Sequence, residues 1–255
     1  MNYIFDPIAF RVGPFTVYWY GILIASAIFI GTFLATKEAQ KQGINTDQFL
    51  NIIIFALPAA IIGARLYYVI FNWSYYSQHY SEIPAVWHGG LAIHGALIGA
   101  FSVAYFLLKR YKINFWLSAD IVAPSIILGQ AIGRWGNFFN QEAYGYEVDP
   151  SQLPWAMYID GAYRHPTFLY ESLWDLGVLL FLLWLRRRRN LKQGDIFISY
   201  AVLYSVGRFF IEGFRTDSLM LTPYIRVAQM VSLIIIVLGV VSLFIRHRYG
   251  HRQCP

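Results

Sequence analysis

The side chains most able to do chemistry in this sequence are ionisable residues that lie within or beside long apolar runs. His94, Arg134, Glu171, Arg208 and Glu212 all stand in such runs. A charged side chain at the centre of a bilayer costs roughly 3 kcal/mol or more, so it normally has a partner or a function. The histidine, the two arginines and Glu212 are therefore the first candidates for a site, and Glu171 is expected to need a basic partner.

His94 follows Gly89 and Gly90 and directly precedes Gly95. Glycines let another backbone or a ligand come close, and a neutral imidazole accepts a proton. His94 is thus a candidate general base about one turn inside a predicted span. A histidine that is simply hydrogen-bonded between helices is the alternative.

Arg134 and Asn137 are three residues apart, so they share one face of a predicted helix. The planar guanidinium matches phosphate oxygens, and the asparagine adds a donor and an acceptor. A phosphate at a membrane surface is what phospholipids offer. The alternative is an ion pair between Arg134 and Glu142 that holds the following loop.

Tyr204, Arg208, Glu212 and Arg215 follow i, i+4, i+8 and i+11 spacing, which predicts one polar stripe along one helix. Arg208 and Glu212 are expected to form an ion pair that leaves the other side of the Arg208 guanidinium open to a lipid phosphate. Glu171, just inside another span, needs a basic partner.

Tyr18, Tyr20 and Arg65 are further polar or charged groups in the apolar runs. The two tyrosines fit either interfacial anchors or a polar role in the site. Arg65 is another cation predicted to be buried. Seven of the polar residues are expected in the outer half of the membrane, where they predict a polar cavity that faces the outer leaflet and binds or reacts with an anionic lipid headgroup: Tyr20, His94, Arg134, Asn137, Glu142, Arg208 and Glu212.

The composition requires a membrane to position these groups. Of 255 residues, 57% are hydrophobic and only 13% charged, with a mean hydropathy of +0.46. Soluble domains carry about 25% charged residues, so lipid must solvate most of this chain. The net charge of +6 is expected to reflect loops that face anionic lipid, not nucleic acid. The single cysteine, Cys254, excludes an internal disulfide and is expected to be a terminal thiol without function.

The fold expected is an all-α integral membrane protein, with residues 1–255 as a single transmembrane domain. The first apolar run is expected to be a retained span and not a cleaved signal peptide. Seven transmembrane helices are predicted, at residues 17–35, 49–71, 90–108, 117–139, 166–185, 196–212 and 224–245.

The distribution of basic residues predicts the orientation of these spans. Most of the 20 Lys and Arg residues fall after predicted spans one, three, five and seven, including the run Arg186, Arg187, Arg188 and Arg189. Cytoplasmic loops collect Lys and Arg, so the N-terminus is expected in the periplasm and the C-terminus in the cytoplasm. Residues 140–165, between spans four and five, are then a small periplasmic cap.

One long motif resembles a known family. Residues 133–145 read Gly-Arg-Trp-Gly-Asn-Phe-Phe-Asn-Gln-Glu-Ala-Tyr-Gly, which is similar to the signature Gly-Arg-x-Gly-Asn-Phe-x-Asn-x-Glu-x-x-Gly of the prolipoprotein diacylglyceryl transferases. Further blocks match in order and extend the resemblance over essentially the whole chain: Tyr18–Gly21, the His94 glycine block, His165–Glu171 and Arg208–Arg215.

The resemblance implies an enzyme of the bacterial cell inner membrane whose site faces the outer leaflet. Such an enzyme transfers the sn-1,2-diacylglyceryl group of phosphatidylglycerol to the lipobox cysteine of a prolipoprotein, forming a thioether and releasing glycerol phosphate. This is the first step of lipoprotein maturation. The expected partners are phosphatidylglycerol, prolipoprotein signal peptides and membrane lipids, and the protein is expected to be a monomer without metal or cofactor.

The resemblance also implies residue roles. His94, Arg134 and Arg208 are expected to be catalytic, with Tyr204 or an arginine-activated water or thiol as alternatives to His94 as the base. The residues expected to bind substrate are Tyr20, Asn137, Glu142, Gly145, Tyr204, Glu212 and Arg215. Glu142 and Glu212 are expected to hold the arginines in place.

Two other functions compete with this prediction. A transporter or flippase for an anionic solute or lipid also needs buried arginines, but it predicts two repeats with broken helices and access from both sides. The sequence shows no repeat and crowds its polar residues toward one face. A scaffold protein leaves the intramembrane arginines without a purpose.

Overall fold

The structure is a computed structural model, and it describes residues 6–13, 15–159, 161–222 and 225–249. Cys254, to which the sequence assigns no function, lies outside these residues. The described chain is mainly helical, and its helices of 18 residues or more coincide with the seven predicted spans apart from their ends. They are α1 Trp19–Lys41, α2 Thr46–Phe71, α4 Ile93–Arg110, α5 Phe115–Asn140, α6 Thr167–Leu185, α7 Asp195–Glu212 and α8 Val227–Tyr249.

The segments between these helices contain short elements. Helix α3, Trp73–Tyr76, and two 3-10 turns, Tyr80–Glu82 and Val86–His88, lie between α2 and α4. The described residues also form three two-stranded hairpins: β1 Ile8–Val12 with β2 Phe15–Tyr18, β3 Met157–Ile159 with β4 Ala162–Arg164, and β5 Met220–Thr222 with β6 Ile225–Arg226. The all-α prediction is thus incomplete, because hydropathy reports the spans and not these short polar connections.

Five of the described helices are long and apolar enough to cross a membrane, namely α1, α2, α5, α6 and α8. Helices α4 and α7 are more polar, since α4 ends in Lys109 and Arg110 and α7 contains Asp195, Arg208 and Glu212. The chain is therefore a multi-pass membrane protein. The count of seven spans and their orientation stay predictions.

The chain divides into two compact units, and the smaller one is Thr36–Ser118. Within it, α2 and α4 pack backbone to backbone at small residues. A Cβ added to Gly95 would stand 2.2 Å from the carbonyl oxygen of Gly63, and one added to Gly99 would stand 2.2 Å from that of Ala59. Small residues at such positions let membrane helices approach closely. Whether residues 1–255 act as one transmembrane domain stays a prediction.

The larger unit comprises Met1–Ala35 and Ala119–Pro255. Its buried apolar core joins α5, α6 and α7 through Ala123, Ile127, Val178, Leu179, Leu182 and Ile196. At one end of this core, the carboxylate of Asp120 on α5 accepts hydrogen bonds from the backbone N–H groups of Gly194 and Phe197. These bonds satisfy donors that the first turn of α7 leaves without helical partners. A side chain of α5 thus fixes where α7 begins.

Candidate active site

A buried carboxylate, Glu171, stands in the first turns of α6 and is only 5% exposed. Three arginines surround it. Arg208 donates from Nη1 to Oε1 over 2.8 Å, Arg215 places Nη1 3.5 Å from the same oxygen, and Nε of Arg134 contacts Oε2. One carboxylate therefore draws together α5, α6, α7 and the segment after α7.

Three residues of the predicted polar stripe, Tyr204, Arg208 and Glu212, lie on α7, but the helix ends at Glu212 and Arg215 follows it in the next segment. Nη2 of Arg208 lies 2.7 Å from Oε2 of Glu212, which confirms the predicted ion pair. Arg215 reaches the same oxygen at 4.0 Å, and Nη2 of Arg134 donates to the hydroxyl of Tyr204 over 3.4 Å. The stripe therefore meets α5 as well as Glu171.

Arg215 lies at the edge of the cluster, where it pairs with Asp217. It donates from Nε and Nη2 to the two oxygens of Asp217 over 2.9 and 2.7 Å. Burial lowers the pKa of Arg215, but the hydrogen bond with Asp217 and the charge of Glu171 outweigh it and raise the pKa above its ordinary value. Burial raises the pKa of Asp217, but the bond from Arg215 outweighs it and lowers that pKa. Both groups are charged at neutral pH.

Arg134 and Asn137 come from the last turns of α5, which ends in a Schellman turn. Gln141 adopts a positive φ of 52°, and the N–H of Glu142 bonds back to the carbonyl of Asn137 over 3.1 Å. The turn brings the Glu142 carboxylate onto the side-chain amides of Asn137, at 2.9 Å, and Asn140, at 3.3 Å.

The partner of Arg134 differs from the alternative weighed above. In the part of the chain that the structure describes, Arg134 pairs with Glu171 and Glu142 binds asparagines. The expectation that Glu142 holds an arginine is therefore wrong. The turn after Asn140 directs Glu142 back along α5, and α6 supplies the acid that Arg134 meets.

Tyr20 stands in the first turn of α1, against the end of α5. A Cβ added to Gly136 would lie 2.1 Å from Cδ2 of the Tyr20 ring, and Trp19 stacks on Phe139 with ring centroids 5.4 Å apart. Because Gly136 has no side chain, the Tyr20 ring packs directly against the backbone of α5 between Arg134 and Asn137. Tyr20 itself is 41% exposed, which leaves part of its side chain open to a ligand.

Gly145, predicted to bind substrate, is buried among other parts of the chain. Its N–H donates to the carbonyl of His165 over 3.0 Å, and it forms a β-bridge with Arg215. A Cβ at this position would stand 2.6 Å from Cβ of His165 and 2.9 Å from the carbonyl oxygen of Phe214. Gly145 therefore joins the segment after α5 to those before α6 and after α7.

His94 is the second residue of α4 and belongs to the unit Thr36–Ser118. It is exposed, and its ring lies 5.8 Å from that of Tyr67 on α2. The arginines and Glu171 belong to the other unit. A common cavity that holds His94 and the arginines stays a prediction.

Two acids of α6 belong to the cluster but are missing from the residues assigned to the site. Glu171 is its centre, although its place inside a span already demanded a basic partner. Asp175, one turn further along, is 2% exposed, has Arg134 and Arg208 as electrostatic neighbours, and has one oxygen with no hydrogen-bond partner among the described residues. Two acids at i and i+4 within one span are the signal that would have found both.

These features define a class: a multi-pass membrane protein in which Arg134, Arg208 and Arg215 surround buried carboxylates of α6 and α7. The family model of prolipoprotein diacylglyceryl transferases matches residues 7–245. Phosphatidylglycerol–prolipoprotein diacylglyceryl transferases from Bacillus velezensis and Geobacillus kaustophilus are 51% and 53% identical to this chain. Each alignment covers 96% of this chain and 94% of the relative. The chain belongs to the prolipoprotein diacylglyceryl transferase family, and it is a transferase of lipoprotein biosynthesis.

Proposed function

We propose that this protein transfers the sn-1,2-diacylglyceryl group of phosphatidylglycerol to the lipobox cysteine of prolipoproteins, the first step of their maturation. The names of its relatives specify these two substrates. The observation that carries the proposal is the cluster in which Arg134, Arg208 and Arg215 share one carboxylate, Glu171. Such arginines offer guanidinium N–H groups to a phosphodiester that competes with the carboxylate.

Arg134 and Arg208 bind the lipid phosphate in this proposal. Each uses part of its guanidinium on an acid, and Arg134 also binds the hydroxyl of Tyr204. Asn137 and Tyr20 stand beside Arg134 at the end of α5 and orient the headgroup. Glu212 and Arg215 keep Arg208 and Glu171 in place, and Glu142 orients the amide of Asn137.

The reaction forms one bond and breaks another. The cysteine sulfur attacks the glyceryl carbon next to the phosphate, the C–S bond forms, and the C–O bond to phosphate breaks. The thiol must lose its proton to become a nucleophile, and His94 accepts it, with Tyr204 as the alternative base. The glycerol phosphate leaves with negative charge on its oxygens, which Arg134 and Arg208 stabilise.

In the same proposal the protein is a monomer of the bacterial cell inner membrane. It has seven spans, and its active site faces the outer leaflet. Helices α4 and α7 have 18 residues each, and at 1.5 Å per residue such a helix covers about 27 Å, close to the hydrocarbon thickness. Residues 140–165 form the periplasmic cap. Its hairpin β3–β4 and the bond between Arg164 and Glu147, 2.9 Å long, support a folded segment.

A transfer assay tests the function. Purified protein in detergent is given phosphatidylglycerol and a lipobox peptide whose cysteine is intact or replaced by serine, and the peptide mass is measured. We expect a gain of one diacylglyceryl group that requires the cysteine and is lost in Arg134→Ala.

Arg187→Ala is the matched control, because Arg187 is exposed in the basic run after α6. It should transfer at the wild-type rate. Well-folded wild type without any mass gain would reject the transferase function, and a fully active Arg134→Ala variant would reject the phosphate-binding role of that residue.

A further inference from the structure

Arg65, near the end of α2, is 5% exposed and directs its guanidinium at backbone carbonyl groups. Nε donates to Ile83 over 2.8 Å, and Nη2 donates to Glu82 over 2.6 Å. Nη1 donates to Gly89 over 2.7 Å and to Gly90 over 3.1 Å. One side chain thereby ties together both ends of the segment from Glu82 to Gly90.

The far end of this segment needs such a restraint because it contains two consecutive glycines in the left-handed region. Gly89 has a φ of 83° and Gly90 a φ of 70°. Glycine has more conformational freedom to lose than any other residue, so this pair is costly to order. The two hydrogen bonds from Nη1 hold both carbonyl groups and so offset that cost.

His94 follows this glycine pair by a few residues. Residues next to Arg65 on α2 also contact the start of α4 on either side of His94. The N–H of Ala92 donates to the carbonyl of Ala64 over 3.1 Å. Gly95 then packs against Gly63, where a Cβ would stand 2.2 Å from the carbonyl oxygen. The ring of His94 lies against Tyr67, so α2 determines where α4 begins and where the imidazole stands.

We propose that Arg65 is a positioning residue for His94, which it holds in place through the carbonyl groups of Gly89 and Gly90. The inference rests on the proposed function, in which His94 accepts the thiol proton. A base that is misplaced by an ångström loses about 100-fold in rate, because proton transfer needs hydrogen-bond distance. Lysine keeps the charge of Arg65 but has no planar fork, so a lysine at this position does not bind both ends of the segment.

A double-mutant cycle on the full-length protein tests this role. Arg65→Lys, His94→Gln and the double variant are assayed for kcat and for KM toward phosphatidylglycerol, with thermal midpoints measured in parallel. We expect Arg65→Lys to lower kcat about 10- to 100-fold. We expect KM to change by less than about 3-fold. In the His94→Gln background the same change should cost almost nothing further, because residues that act through one group are not additive.

The outcomes separate the two proposals. Fully additive losses, or a normal kcat for Arg65→Lys, would overturn the positioning role and leave the proposed role of His94 intact. Normal turnover by His94→Gln would instead reject His94 as the base, and this inference with it.

A pair of glycine variants tests the same contact if Arg65→Lys does not fold. Gly90 has a φ of 70° and Gly43, between α1 and α2, a φ of 74°, so alanine strains the backbone similarly at either position. A Cβ at Gly90 would stand 2.6 Å from Nη1 of Arg65 and 2.7 Å from the Tyr68 ring, whereas one at Gly43 meets nothing within 4 Å. We expect Gly90→Ala to lose kcat as Arg65→Lys does and Gly43→Ala to lose much less. Equal kcat values for the two variants would contradict the inference.

Discussion

Arg65 is buried and the arginines around Glu171 are mostly buried, but the two kinds are held by different acceptors. Arg65 bonds to neutral backbone carbonyls of one segment, and those bonds are also what keeps the segment folded. Arg134 and Arg208 bond to the carboxylate of Glu171 on α6, and Arg208 also bonds to Glu212 on its own helix. A phosphate can replace a carboxylate at a guanidinium without unfolding the backbone, so the second arrangement suits ligand exchange and the first suits rigid support.

The largest effect on activity should follow from removing an arginine that is held by carboxylates. Arg208→Ala takes away a donor to Glu171 and Glu212 and a proposed stabiliser of the leaving phosphate. We expect kcat/KM to fall about 100- to 1000-fold in the transfer assay. Arg208→Lys should recover only part of it, since one ammonium does not bridge both acids. Full activity of Arg208→Ala would remove the distinction between the two arginine environments.

Glu171→Gln should show how far the cluster depends on its central charge. Glutamine has nearly the same size but leaves three arginines with less negative charge around them. Removal of one partner of a buried ion pair costs about 3–5 kcal/mol, so we expect a large drop in the free energy of unfolding. Unfolding in mixed micelles measures it. Stability equal to the wild type would show that Glu212 and Asp217 suffice as counter-charges.

Gly95→Ala addresses the rigid region around Arg65. The new methyl group would overlap the carbonyl of Gly63 and Cβ of Tyr67, so α2 and α4 must separate. We expect a loss of about 1–3 kcal/mol in unfolding free energy. Gly177→Ala on α6 is the matched control, because a Cβ there meets nothing within 4 Å and alanine favours a helix by about 0.5–1 kcal/mol. A Gly95→Ala variant as stable as Gly177→Ala would mean that the two helices do not pack closely.

The smallest effect should come from acidification at the edge of the cluster. The bond from Arg215 outweighs burial and lowers the pKa of Asp217, so this carboxylate stabilises the fold above its unfolded pKa of about 3.9. That contribution is lost as the pH falls through the folded pKa. The thermal midpoint of the wild type should exceed that of Asp217→Asn at about pH 6, and the difference should shrink as the pH falls below about 3.9. If the difference in thermal midpoint between the two proteins stayed constant over this pH range, the effect would come from the packing of the side chain and not from its charge.

Several features of the fold and the site could be predicted from local spacing. The positions of the long helices follow from apolar runs, and the pair of Arg208 with Glu212 follows from an i, i+4 interval on one helix. The match of residues 133–145 to a family signature predicted the family that the family model and the relatives show. The short hairpins were missed, because strands of two to five residues at the ends of the spans or between them carry no hydropathy signal of their own.

The sequence by itself determined which residues had to be buried in lipid, which polar residues needed a reason to be there, and to which family they belong. Only the tertiary structure decided their partners: Glu171 and not Glu142 for Arg134, four carbonyl groups for Arg65, and the Tyr20 ring for the space at Gly136. The physical reason is the range of the interactions. The pitch of a helix sets contacts within it, whereas contacts between helices depend on which helices are neighbours and how each is rotated, and no spacing along the chain encodes that.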